Sequence, residues 1–95
     1  MNSYRLVFRV HAIQRMFQRR ISKEEVAHVL ATGEVIQAYP ADKPFPSRLV
    51  LGWSGARPLH VIAADDVQTH ETIVVTVYEP NVGEWDATFK RRKSQ

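Results

Sequence analysis

The sequence predicts an α+β fold: two N-terminal helices packed on a four-stranded antiparallel sheet, with a short helix closing the chain. Three observations predict it. Residues 11–20, HAIQRMFQRR, place apolar side chains at helical spacing. Ser22-Lys23-Glu24-Glu25 opens a second helical stretch with a capping-box pattern, and Gly33 closes it. From Glu34 onward the apolar period changes to two, the period of strands.

Taken in order, residues 4–10 (YRLVFRV) read as a short first strand or an extended lead-in, with Leu6, Phe8 and Val10 on one face. The first helix follows over His11–Arg20, about three turns. Ile13, Met16 and Phe17 are its expected buried stripe. His11, Arg15 and Arg19 are four apart and stack on the opposite side, with Gln14 and Gln18 alongside and no acid to neutralise them. Like charges at this spacing repel by roughly 0.2–0.5 kcal/mol, which a bound polyanion would offset. The alternative is an ordinary solvated face. The helix is expected to stop at Arg20, in a turn with positive φ. The second helix should run over Lys23–Thr32, burying Val26, Val29 and Leu30.

Glu34–Tyr39 is the first strand of the meander. Pro40, Pro44 and Pro46 make the next segment a stiff loop. Arg48–Trp53 and Arg57–Ala64 form a hairpin through Ser54-Gly55-Ala56. Asp65–His70 is a polar turn, and Thr72–Tyr78 (TIVVTVY) is the most strand-prone run, expected at the centre. Glu79-Pro80-Asn81 breaks it, and Trp85 and Phe89, four apart, suggest the closing helix. Alternation puts Leu49, Leu51, Trp53, Leu59, Val61, Ala63, Ile73, Val75 and Val77 under the helices. It puts Arg48, Val50, His60, Ile62, Thr72, Val74, Thr76 and Tyr78 on the other face. A one-residue slip in register would exchange the two sets.

A chain of 95 residues is expected to form a single domain with one modest core. There is no cysteine, so neither disulfides nor thiolate chemistry arise. The apolar run near the start is short and broken by Arg5 and Arg9, and no stretch approaches a transmembrane span. A cytoplasmic protein without a membrane partner is expected. Charge is unevenly spread: nine of the 13 basic residues lie in residues 1–20 and 90–93, whereas all ten acids lie between Glu24 and Asp86. Two basic ends suggest nucleic acid as partner if they meet on one face. A basic, solubilising tail from about residue 90 is the plainer alternative.

The four histidines show no metal-ligand spacing, and no glycine-rich phosphate loop or Gly-x-Ser-x-Gly elbow occurs. No metal or other cofactor is expected. The remaining His, Arg, Tyr and Thr suit metal-free RNA cleavage, in which a 2′-hydroxyl attacks the adjacent phosphate. In that reading His60, Tyr78, His11 and Thr76 are the candidate catalytic residues. Arg15, Arg19 and Arg48 hold phosphate, and Lys90, Arg91 and Arg92 extend the RNA-binding surface. The same residues fit RNA binding without chemistry, with His60 bonded to a neighbour and Tyr78 and Trp85 packed in the core.

Several blocks carry a family resemblance: His11-Ala12 with Arg15-Met16 and Arg19, Ile21-Ser22, Gly33-Glu34-Val35-Ile36, Tyr39-Pro40, Pro46-Ser47-Arg48-Leu49, Leu59-His60-Val61, Thr76-Val77-Tyr78-Glu79-Pro80 and Trp85. They cover nearly the whole chain, which resembles the small bacterial proteins of domain-of-unknown-function family four-two-five-eight. The chain departs at Arg20, where a small turn residue is expected. That family is more distantly similar to compact ribonuclease toxins of RelE and BrnT type. The resemblance implies a toxin-like endoribonuclease neutralised by a cognate antitoxin protein. The rival is a non-catalytic protein-interaction or accessory module that keeps the fold.

Overall fold

Both helices begin and end where local chemistry satisfies their free backbone groups. In the computed structural model, which describes residues 4–93, α1 spans Val10–Arg19 and α2 spans Lys23–Thr32. The capping box at the start of α2 is complete: Ser22 Oγ accepts from the Glu25 amide, and the Glu25 carboxylate accepts from the Ser22 amide. Arg20 ends α1 in the left-handed region at φ 56, as expected, and its amide and that of Ile21 close on the carbonyls of Phe17 and Met16. The Gly33 amide bonds to the Val29 carbonyl, ending α2.

The sheet is not the expected four-stranded antiparallel one. It has five strands, β1 (Arg5–Phe8), β2 (Glu34–Tyr39), β3 (Ser47–Ser54), β4 (Arg57–Asp66) and β5 (Glu71–Tyr78), in the order β1-β5-β4-β3-β2. β1 pairs in parallel with β5, and the other pairings are antiparallel. The lead-in is therefore a true strand, and the chain between it and β5 runs through both helices and through β2, β3 and β4. Its partner lies more than sixty positions away (Arg5 opposite Glu71), and the two side chains form an ion pair.

The closing helix is also absent. Residues 86–91 form turns, and Trp85 bridges antiparallel to Arg92. Asp86 accounts for this: its carboxylate accepts from the amide and hydroxyl of Thr88, and Phe89 takes a left-handed φ of 61. Trp85 and Phe89 are four apart because each reaches the same sheet face separately. The Lys93 amide donates to the Glu84 carbonyl, so residues 90–93 run back along the segment. The rest of the expected tail, residues 94–95, lies outside the described residues.

The core lies between the helices and one sheet face. It contains Ala12, Met16, Ile21, Val26 and Val29 from the helices and their turn, and Val50, Leu59, Val61, Ala63, Val74 and Val77 from the sheet. Three expectations about it fail. In α1 the inward residues are Ala12 and Met16, while Ile13 and Phe17 face solvent. In β3 the faces are exchanged: Leu49 and Leu51 pair with Ile62 and His60 on the far side, and Val50 turns toward the helices. Gly52 belongs to the helix side as well, because a Cβ there would come within 2.8 Å of a Val29 methyl. β5 changes parity at a bulge: Ile62 pairs with Thr76 and Ala63 with Val74, leaving Val75 unpaired. Val74 and Val77 therefore both point inward, where strict alternation chose Ile73, Val75 and Val77.

Candidate nucleic-acid interface

The sheet face away from the helices is crossed by the segment that follows β5. Its attachment is built around His60, which is fully buried. His60 pairs across the strands with Leu51 and Tyr78, and Trp85 packs edge-on against its ring with centroids 4.5 Å apart. The ring nitrogen Nε2 lies 2.8 Å from the Phe89 carbonyl oxygen, and Nδ1 lies 3.2 Å from the Tyr78 hydroxyl. A carbonyl only accepts, so Nε2 carries the proton, and Nδ1 then accepts from the Tyr78 O–H. Burial pushes the His60 pKa below its ordinary value and the Tyr78 pKa above its own. Both groups are thus held neutral, and each ring nitrogen has a partner. Phe89 in turn packs edge-on against Trp53.

Two clefts open on either side of this segment, and Tyr78 lines both. The larger, of about 650 Å³, lies between β2 and the segment, with Tyr39, Leu49, Ile62, Trp85 and Lys90–Arg92 around it. The smaller, of about 350 Å³, lies between α1 and the segment, with Arg15, Arg19, Thr76, Glu79 and Glu84 around it. Among the described residues, no carboxylate lies within ion-pair distance of Arg15, Arg19 or Arg91. Lys90 is paired with Glu34 at 2.9 Å, and Arg92 lies over the Trp85 ring at 5.0 Å. Arg57, on β4, reaches both the end of α1 and Glu79. Its Nη2 donates to the carbonyls of Arg19 and Arg20 at 3.2 Å, satisfying the end of α1, and its Nε lies 3.4 Å from a Glu79 oxygen.

The candidate residues therefore separate. Arg15, Arg19, Thr76 and Tyr78 meet in the small cleft, and Tyr78 meets Lys90, Arg91 and Arg92 in the large one. His60 touches Tyr78 but lines neither cleft. His11 is exposed on the first turn of α1 and lines neither. Arg48 pairs with Asp65 at 3.0 Å, and Asp65 also accepts from Thr72, in a cluster on the helix-side parity of the sheet. Sequence reasoning missed Tyr39 and the two acids Glu79 and Glu84. The Tyr39 side chain follows from β2 pairing with β3, but Glu79 and Glu84 carry no signal of their own. Among the described residues, no three His, Asp or Glu side chains are grouped to hold a metal ion, and no helix is long and apolar enough to cross a membrane.

Residues 8–79 match the family model described as Domain of unknown function (DUF4258), and the chain belongs to that family. Neither the curated proteins nor the solved structures yield a match.

Proposed function

We propose that this DUF4258 protein binds single-stranded RNA across the sheet face centred on Tyr78. One observation carries the reading. Tyr78 lies at the junction of two clefts whose unpaired cations, Arg15 and Arg19 on one side and Arg91 on the other, come from opposite ends of the chain. A phosphate backbone passing over Tyr78 would meet guanidinium groups at both exits, with Tyr39 and Tyr78 at hand for bases. Single-strand binding of this kind weakens with salt by about 0.7 log units in affinity, per log unit of salt, for each phosphate neutralised. The test is a salt titration with labelled unstructured RNA. The Arg15→Ala, Arg19→Ala double variant should bind more weakly and with a shallower slope, while Arg48→Ala, whose guanidinium is paired elsewhere, should match the wild type. No binding at low salt, or a double variant with unchanged slope, removes the proposal.

A second reading, metal-independent cleavage of the bound RNA, is favoured by the acids of the small cleft. Glu79 and Glu84 stand beside Arg15, Arg19 and Thr76, a general base next to charges that could stabilise a phosphorane-like transition state. His60, with both nitrogens engaged, would position Tyr78 and the segment and take no direct part. Cutting in excess chelator, with a cyclic phosphate end and no action on DNA, is the expected result. RNA that is bound and left intact would favour the non-catalytic module.

A further inference from the structure

The sheet face that carries Tyr78 has another cavity, of about 140 Å³, at the loop between β2 and β3, with Arg9, Asp42, Lys43, Phe45, Ile62 and Val75 around it. Ile62 also lines the large cleft, so the cavity adjoins that cleft as the two clefts adjoin at Tyr78. Phe45, Ile62 and Val75 are half-buried, so each keeps some apolar surface open. Arg9 and Lys43 are exposed, and among the described residues neither lies within ion-pair distance of a carboxylate. Asp42 is fixed twice: its amide donates to the Tyr39 carbonyl at 3.2 Å, and its Oδ2 accepts from the hydroxyl of buried Ser47. That one bond leaves most of the carboxylate's acceptor capacity unused. The volume is well below the roughly 300 Å³ at which pockets begin to enclose drug-sized ligands, which suits a single ring.

We propose that this cavity binds the base of a guanine nucleotide, with Arg9 and Lys43 on its phosphate. The proposal rests on the RNA reading only for the source of the nucleotide, which there is a residue of the strand that leaves the large cleft past Ile62. Phe45, Ile62 and Val75 offer apolar surface to the faces of a ring. A carboxylate only accepts, so the edge of the base at Asp42 must consist of donors. Guanine sets N1–H and N2–H side by side on one edge. Adenine and cytosine place a bare ring nitrogen beside their amino group, and uracil flanks its one N–H with two carbonyls. Each of these three turns lone pairs toward Asp42. A phosphate alone would leave the apolar surface unused, and an acidic peptide would meet Asp42 with like charge.

The test has two arms. In the first, the isotope-labelled full-length protein is titrated with guanosine, adenosine, cytidine and uridine 5′-monophosphates. Guanosine monophosphate should shift the amides of Asp42, Phe45, Ile62 and Val75 saturably and bind about tenfold more tightly than the other three. Asp42→Asn, which keeps an acceptor for Ser47, should erase that preference, whereas Arg9→Ala should weaken all four nucleotides by a similar factor. No saturable shift at the cavity, equal affinity for the four bases, or a preference that survives Asp42→Asn overturns the proposal. In the second arm, short uridine strands carry one guanosine or one adenosine at each position in turn. Tighter binding of the guanosine strands, lost in Asp42→Asn, makes the nucleotide a residue of the bound RNA. Guanosine monophosphate bound without any strand preference supports the cavity and assigns it to free nucleotides. RNA bound with a salt slope that depends on Arg15 and Arg19, by a protein whose cavity takes no nucleotide, overturns this proposal alone. Guanosine monophosphate bound by a protein that holds no RNA at low salt overturns the RNA reading alone.

Discussion

The two faces of the sheet are covered in different ways. On one, α1 and α2 lay down Ala12, Met16, Val26 and Val29 against Val50, Leu59, Val61, Ala63, Val74 and Val77, an apolar contact throughout. On the other, the segment after β5 is fastened by a histidine, a carbonyl, a hydroxyl and two tryptophan contacts. The first cover excludes water and needs no exact partner. The second holds a polar group in a dry place, which is tolerable only because both nitrogens of His60 are bonded. The difference assigns stability to the helix face, whereas on the other face clefts remain between the fastenings.

Three predictions would break or sharpen this contrast. The largest effect belongs to the helix face. Leu59→Ala, at a fully buried site, should cost about 2–5 kcal/mol in urea unfolding; a loss no greater than that at His60 would make the two covers energetically alike. Next is His60→Ala, which strands the Tyr78 hydroxyl and the Phe89 carbonyl and should cost about 1–3 kcal/mol. Its pH signature separates it from a simple cavity. The folded-state pKa of His60 is lowered, so below its unfolded value of about 6.5 the unfolded chain binds the extra proton. Stability from this group is complete above that value and is lost as pH falls through the interval down to the folded pKa. His60→Gln should flatten that limb, and a wild-type curve with no decline there would show that the folded ring takes up its proton at the same pH as the unfolded one. The smallest effect is Trp53→Ala. Sequence alternation placed this ring in the core at about 3–5 kcal/mol, but it is 44% exposed and touches Phe89 edge-on, which points to about 0.5–1.5 kcal/mol beyond its modest burial. A core-sized loss would restore the discarded face.

What was legible in the chain was local. The capping box at Ser22 and the left-handed Arg20 depend on neighbours within a few positions and formed as read, and α2 does stop at Gly33, although that glycine is extended at φ −79 where a C′ glycine would be left-handed. The β3–β4–β5 meander followed from its turns. Pairing of β1 with β5 did not, because nothing in YRLVFRV names a partner so distant. The face of β3 was undecidable from its pattern: Leu49, Val50 and Leu51 are all buried, since both sides of that strand are covered. In β5 a single bulge at Val75 defeated alternation, while Thr76 and Tyr78, beyond it, kept the parity expected of them with His60. Of the candidate site, the arginines and Tyr78 were found from charge and strand parity. The acids beside them were not, because their placement depends on where a turn-rich segment lands.

Arg57 touches the last carbonyls of α1 with one nitrogen and stands beside Glu79 with another. A side chain from a third element thus gauges the gap between helix and segment, much as a spacer sets the jaw of a clamp. The width available between Arg19 and Glu79 is consequently a property of the β3–β4 hairpin, which carries Arg57, and neither jaw can shift without loosening its hold on that guanidinium. A lysine there would keep the charge but has a single ammonium to offer both sides.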